Sequence, residues 1–106
     1  MTTFDKREAA FENKFAHDAD LEFKITVRRN KLLGLWAAEL LGLTGADADA
    51  YAQAVVKSDF IEAGDDDVIR KVVSDFAAAK IDISETGVRK ALNEKAGEAR
   101  AQIMAA

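Results

Sequence analysis

No proline interrupts this chain of 106 residues, and its apolar side chains recur at helical spacing in four successive segments. Glycine, a common residue at the ends of helices, stands between segments at Gly42, Gly45 and Gly64. Short connectors join the segments, so each helix can pack against its neighbours. The pattern predicts an all-α protein: a small four-helix bundle with a long first helix and a mobile N-terminal segment.

The first segment is the longest. It begins with three phenylalanines, Phe4, Phe11 and Phe15, spaced seven and four residues apart. This spacing puts the three rings on one face of a helix. The later apolar positions of this segment are Leu33, Trp36 and Leu40. Between these two groups, the β-branched run Ile25–Val27 weakens helicity. The flanking periodicity predicts that the helix continues through the run, with a local bend or fraying as the alternative.

Three further segments carry shorter apolar stripes. Thr44 or Asp47 opens the second helix, Asp65 caps the third, and Ser84 begins the fourth. The predicted core positions of the second helix are Ala48, Tyr51, Ala52, Val55, Val56 and Phe60. Those of the third helix are Ile69, Val72, Val73 and Phe76, and those of the fourth are Val88, Leu92, Ala99 and Ile103.

The first segment is nearly twice as long as any predicted partner, so its N-terminal part should extend beyond the bundle. A detached helical segment of fewer than about 15 residues is only marginally stable in water. We therefore expect residues 1–19 to form a mobile segment and residues 20–106 to form the bundle domain.

The composition argues against several classes of protein. The 15 Lys and Arg residues are outnumbered by 19 Asp and Glu, and the net charge of −4 differs from the basic footprint of nucleic-acid-binding domains. The chain has no cysteine, which excludes disulfides and thiolate metal sites. Because no apolar run is long enough for a bilayer span and no signal peptide is recognisable, we expect a cytoplasmic protein without direct membrane insertion.

No catalytic constellation is present, so we do not expect an enzyme. The single histidine, His17, has no cysteine to activate. Together with Asp18 and Asp20 it forms a poor set of zinc ligands, because it is one histidine among surface acids. The acidic run Asp65–Asp67 lacks the spacing of a calcium loop, and helix capping explains it. No metal site is predicted.

A basic cluster in the first segment has two interpretations. Arg28, Arg29 and Lys31 could grip phosphates, because arginine offers paired donors, and Trp36 could stack on a base. Alternatively, the cations pair with the acidic second and third helices while Trp36 fills the core. These four residues are the candidate nucleotide-binding residues.

The aromatic stripe of the N-terminal segment also has two interpretations. Its rings either extend the core of the bundle or anchor a helix that binds in a groove of a partner, with the neighbouring charges setting its register. The candidate partner-binding residues are Phe4, Arg7, Glu8, Phe11, Lys14 and Phe15.

Several ordered runs of residues resemble a known family. The longest is RRNKLLGLWAA at residues 28–38. Further matches are Phe4, Arg7-Glu8, residues 14–18, Phe23-Lys24, Tyr51-Ala52, Val55-Val56, residues 58–60 and residues 63–71. The resemblance covers roughly Thr3 to Val73, and beyond Phe76 only a generic amphipathic pattern remains. The chain resembles the zeta subunit of alphaproteobacterial F-type ATP synthase.

The resemblance implies a regulatory protein that inhibits ATP hydrolysis by the synthase. In this family the N-terminal segment enters a catalytic interface between the alpha and beta subunits, beside the gamma subunit, and blocks rotation in the hydrolytic direction. Carried over, the six partner-binding candidates form the inhibitory helix. The implied location is cytoplasmic and peripheral to the inner membrane. No cofactor is required, and ADP or ATP is implied as a regulatory ligand.

Two alternative functions stay open at this point. The first is an adenine-nucleotide-sensing helical binding module without strong inhibitory activity. The second is a helical DNA-binding domain built on the basic cluster, which the acidic balance of the chain disfavours.

Overall fold

The computed structural model describes residues 3–59 and 64–105, with side chains described for residues 19–59 and 64–105. Four helices follow one another: α1 (Thr3–Leu40), α2 (Gly45–Ser58), α3 (Asp66–Ala78) and α4 (Glu85–Ala105). The described ranges contain no strand. The predicted all-α fold with four helices is confirmed, while the predicted core residue Phe60 lies outside the described residues.

Helix α1 is unbroken through the β-branched run Ile25–Val27, as the flanking periodicity predicts. Ile25 is buried, with 5% of its surface exposed. Packing of this side chain in the bundle therefore compensates for the low helix propensity of the run.

Two of the helix ends are closed by the same backbone arrangement. Gly42 adopts a positive φ of 79°, and its N–H donates to the carbonyl of Glu39 at 3.1 Å. The N–H of Leu43 donates to the carbonyl of Ala38 at 2.9 Å, which completes a Schellman motif at the end of α1. Helix α3 ends in the same manner, but Lys80 occupies the left-handed position with a φ of 60°.

Helices α2, α3 and α4 begin beside residues that the sequence signals predict, but only one of these residues caps its helix through its side chain. The Ser84 hydroxyl accepts from the N–H of Gly87 at 3.3 Å at the start of α4. Thr44 and Asp65 occupy the N-cap positions of α2 and α3, and neither side chain makes a capping hydrogen bond. The predicted positions of these two caps are confirmed, while side-chain capping by Asp65 is wrong.

The core lies between all four helices. Its buried members are Leu33 and Ala37 of α1, Val55 of α2, Val68, Ile69, Val72 and Phe76 of α3, and Val88, Ala91 and Leu92 of α4. The predicted stripes supply most of these residues. Leu40 differs, because it is the last residue of α1 and 43% of its surface is exposed. Val56 and Ile103 were also predicted core residues, but they are only half-buried and lie outside this core.

Helix α1 lies very close to α2 at Gly34, which is buried. A Cβ atom placed there would lie 2.6 Å from the Cα atom of Ala52 and 3.2 Å from the Cβ atom of Val55. Contact at 2.6 Å with backbone cannot be relieved by rotating a side chain. The spacing of these two helices therefore depends on the missing side chain at residue 34.

A polar contact joins α2 to α3 at the edge of the core. The Tyr51 hydroxyl donates to Asp75 Oδ2 at 2.8 Å, and Lys71 Nζ lies 3.1 Å from the same oxygen. Burial raises the pKa of the Tyr51 hydroxyl well above its usual value, and the hydrogen bond to Asp75 and the charge of Asp75 add to this. Tyr51 therefore stays a neutral donor at physiological pH.

Helix α1 is much longer than any helix it packs against. It has 38 residues, and the longest partner, α4, has 21. The ion pair between Arg100 and Glu22 joins α4 to α1 at 3.1 Å. From Glu22, α1 continues for about 28 Å to Thr3, while α4 continues for only about 7 Å past Arg100. About 20 Å of α1 therefore extends beyond the end of α4.

Candidate functional site

The six partner-binding candidates lie on the extended part of α1. Their backbone is helical within Thr3–Leu40, so the offsets of seven and four residues put the three rings on one face. Their side chains lie outside the described residues. The roles predicted for Phe4, Arg7, Glu8, Phe11, Lys14 and Phe15 therefore stay predictions.

The three residues of the basic cluster do not share one face of α1, and Arg29 faces the bundle. Its Nε and Nη2 atoms donate to Asn30 Oδ1 at 3.0 and 2.9 Å, and Nη2 pairs with Asp65 Oδ1 at 2.8 Å. Asn30, only 1% exposed, donates through Nδ2 to Asp59 Oδ2 at 3.0 Å. This network ties α1 to residues on both sides of the connection between α2 and α3.

Replacing Asn30 should weaken the bundle markedly. Asn30→Ala removes the acceptor of Arg29 and the donor to Asp59, and we expect the free energy of unfolding to fall by about 2–3 kcal/mol. Urea unfolding followed by Trp36 fluorescence measures this change. The neighbouring exposed side chain provides the control, because Lys31→Ala should change stability by less than about 0.5 kcal/mol. Equal stability of the two variants would contradict a structural role for the network.

Arg28 and Lys31 lie on a different face of α1 from Arg29. Both side chains are exposed, and neither has an ion-pair partner in the described part of the chain. They are three residues apart, which places them side by side on a helix. These two cations remain available to an anionic ligand.

Trp36 packs against the core. Its ring lies 5.6 Å from that of Phe76, centroid to centroid, with an interplanar angle of 73°. This edge-to-face arrangement is typical of paired aromatic residues in protein interiors. Trp36 and Arg29 are seven residues apart on α1 and so share a face, whereas Arg28 and Lys31 do not lie on it. The four nucleotide-binding candidates therefore occupy two faces of one helix.

For Arg29 and Trp36, the structure matches the interpretation in which cations pair with the acidic helices and Trp36 packs in the core. Sequence reasoning missed Asn30, a polar residue within the basic run that is only 1% exposed. It also did not specify which acids form the contacts, and these are Asp59 with Asn30 and Asp65 with Arg29. The available signal was an amide on the inward side of a helix, where an unpaired polar group is costly.

Comparison with known proteins identifies the family. The pattern of the family described as ATPase inhibitor subunit zeta matches residues 1–102. This chain belongs to that family. The match extends well past Val73, so the last helix, which looks generic by sequence, belongs to the family domain as well.

A solved structure supports the fold. A protein whose structure was determined by solution NMR is 48% identical, and the match covers 79% of this chain and 95% of that one, with a TM-score of 0.71. Among curated protein sequences, none matches this chain significantly.

Membership in the family carries a general function. The zeta inhibitor subunit is a regulatory subunit that inhibits the ATPase and associates with ATP synthase. Within the described ranges, none of the four helices has an apolar stretch long enough to cross a bilayer.

Proposed function

We propose that this chain inhibits ATP hydrolysis by F-type ATP synthase by inserting its N-terminal helix at a catalytic interface of the alpha and beta subunits, beside gamma. The observation that carries the proposal is the length of α1, which extends about 20 Å beyond the helix beside it. A helix that is continuous with a packed scaffold can reach into a cleft while the scaffold stays outside.

The energetics of the proposed insertion are favourable. Burying three phenylalanine side chains contributes roughly 5–9 kcal/mol before costs. Ordering a segment that folds on binding costs several kcal/mol. The difference is compatible with submicromolar binding, and Arg7, Glu8 and Lys14 fix the orientation of the helix in the interface.

The proposal divides the chain by role. Residues 1–19 form the inhibitory segment and residues 20–106 form the bundle domain that holds it. The partners are the alpha, beta and gamma subunits of the catalytic sector, and the protein acts in the cytoplasm at the inner membrane through the synthase.

The intact chain should inhibit the hydrolytic reaction selectively. Titrating it into the solubilised synthase of its own bacterium should give saturable loss of ATP hydrolysis. In coupled membrane vesicles, ATP synthesis should be largely retained, because the block opposes rotation in one direction. The matched control is the same titration with a chain lacking residues 1–19, which keeps the buried core of the described residues. Unchanged hydrolysis at a large molar excess of folded chain contradicts the proposed function.

A second candidate function is supported by Arg28 and Lys31, two cations that have no ion-pair partner among the side chains that the structure describes. They are suited to the phosphates of ADP or ATP acting as a regulatory ligand. Trp36 lies on another face in contact with Phe76, so stacking of a base on Trp36 requires a change in core packing.

A further inference from the structure

An open groove runs along the side of α1 that carries Arg28 and Lys31. We call it the outer groove. Between α1 and α2 it has a volume of about 520 Å³ and is lined by Val27, Lys31, Asp49, Gln53, Val56 and Lys57. Val27 and Lys31 also line an adjoining depression of about 290 Å³, which continues towards α4 over Phe23, Lys24, Arg28 and Ile103. The two depressions are therefore one continuous surface across α1.

The outer groove combines an apolar floor with a basic rim. Val27 and Val56 form the floor between α1 and α2, and both are half-buried. Lys24, Arg28 and Lys31 follow at offsets of four and three residues, so they form a row along α1. Lys57 adds a cation from α2.

The rim has a surplus of positive charge. Arg28, Lys31 and Lys57 have no ion-pair partner in the described ranges, and Lys24 pairs with Asp20 where both side chains are more than half exposed. Asp49 is the one acid among the lining residues of the two depressions. An exposed ion pair such as Lys24–Asp20 contributes little to stability, so Lys24 can exchange Asp20 for another anionic partner.

We propose that the outer groove binds an acidic amphipathic helix on the ATPase and so provides a second attachment beside the N-terminal helix; this inference rests on the proposed function. A helix lying along α1 can fill the floor with apolar side chains spaced three and four residues apart. Carboxylates at the same spacing on its flanks match the row formed by Lys24, Arg28 and Lys31. A row of cations along a helix fits an extended array of carboxylates better than a single anion.

The chain's own N-terminal segment fits the outer groove less well. That segment carries Lys6, Arg7 and Lys14 among its acids, so it would bring cations to a basic rim. It also belongs to the helix that carries Val27 and Lys31, so the chain would have to reverse direction within α1 to lie along them.

The benefit of a second attachment lies in effective concentration. When the outer groove holds the bundle against the ATPase, insertion of the N-terminal helix becomes an intramolecular step. Charged rim contacts act mainly on the rate of association and give it a strong dependence on salt. The rate at which inhibition develops therefore reports on the groove.

Charge reversal in the outer groove tests this inference. In the full chain, Lys31→Glu combined with Lys57→Glu should slow the onset of inhibition about tenfold at low salt and remove most of its salt dependence. The control is Lys80→Glu combined with Lys90→Glu, which makes the same change in net charge at exposed lysines outside the groove. We expect less than a twofold effect from the control. Thermal melts of both variants establish that the bundle is folded.

The possible outcomes separate this inference from the proposed function. If wild type and both double variants inhibit with the same onset rate, the groove inference is wrong and the proposed function stands. If wild type does not inhibit at all, the proposed function itself fails. Two other results would show that the groove binds something else. If wild type sediments as a dimer and only the groove variant disrupts it, the groove binds a second copy of the chain. If the groove variant loses ADP binding but keeps the onset rate of wild type, the groove binds a nucleotide.

Discussion

A chain lacking residues 1–19 is expected to lose inhibition of ATP hydrolysis completely while its bundle still unfolds cooperatively. The buried core side chains of the described part of the chain fall between Ile25 and Ala99, so the deletion leaves the core intact. It removes all three phenylalanines whose burial is to hold the helix in the interface, a loss of roughly 5–9 kcal/mol of gross binding energy. Inhibition titrations and thermal melts followed by circular dichroism measure the two effects.

A pair of full-length variants distinguishes the aromatic stripe from the rest of the segment. The triple variant Phe4→Ser, Phe11→Ser and Phe15→Ser should abolish inhibition, as the deletion does. The double variant Ala9→Ser and Asn13→Ser changes the opposite face of the helix and should reduce inhibition only slightly. Inhibition retained by the truncated chain would exclude residues 1–19 as the inhibitory element, whatever the bundle binds.

A single methyl group at residue 34 is also expected to have a large effect on stability. Intrinsic propensity favours alanine over glycine in a helix by about 1 kcal/mol. In Gly34→Ala, however, the new Cβ meets the Ala52 backbone at 2.6 Å and forces α1 and α2 apart. We expect a net loss of about 2–3 kcal/mol of unfolding free energy. For a domain of this size, that corresponds to a fall in Tm of roughly 10–20 °C.

The control for this experiment is a second helical glycine in the same chain. Gly97 lies on the exposed side of α4, and a Cβ there meets nothing within 4 Å. Gly97→Ala should therefore stabilise the protein by about 0.5–1 kcal/mol, the usual gain for a solvent-facing helical site. Calorimetry on both variants gives the comparison. A Gly34→Ala protein as stable as wild type would mean that the helices separate at little cost.

Features that depend on neighbouring residues in the chain were predictable. The apolar spacing predicted four helices, and Gly42 and Ser84 were recognisable as an end and a start because their roles follow from local backbone geometry. The end of α3 was not visible, because Lys80 adopts a conformation that glycine usually supplies. Local signals fail where a residue accepts a strained conformation to satisfy packing around it.

The basic cluster shows where sequence reasoning reached its limit. Arg28 and Arg29 are chemically identical neighbours, yet one is exposed and the other pairs with Asp65, 36 residues away. Each helical residue turns the next side chain by about 100°, so adjacent residues face different surroundings. Both interpretations of the cluster were therefore open until the positions of α2 and α3 were known.

The sequence by itself determined that this chain forms four helices, that the first is far longer than the others, and that it resembles the zeta family. These properties arise from hydrogen bonds and side-chain spacings within a few residues. Only the tertiary structure decided that Gly34 is a point of backbone contact, that Asn30 and Arg29 link α1 to the α2–α3 connection, and that Arg28 and Lys31 border a groove. Those facts depend on which distant residues meet, and helical periodicity carries no information about that.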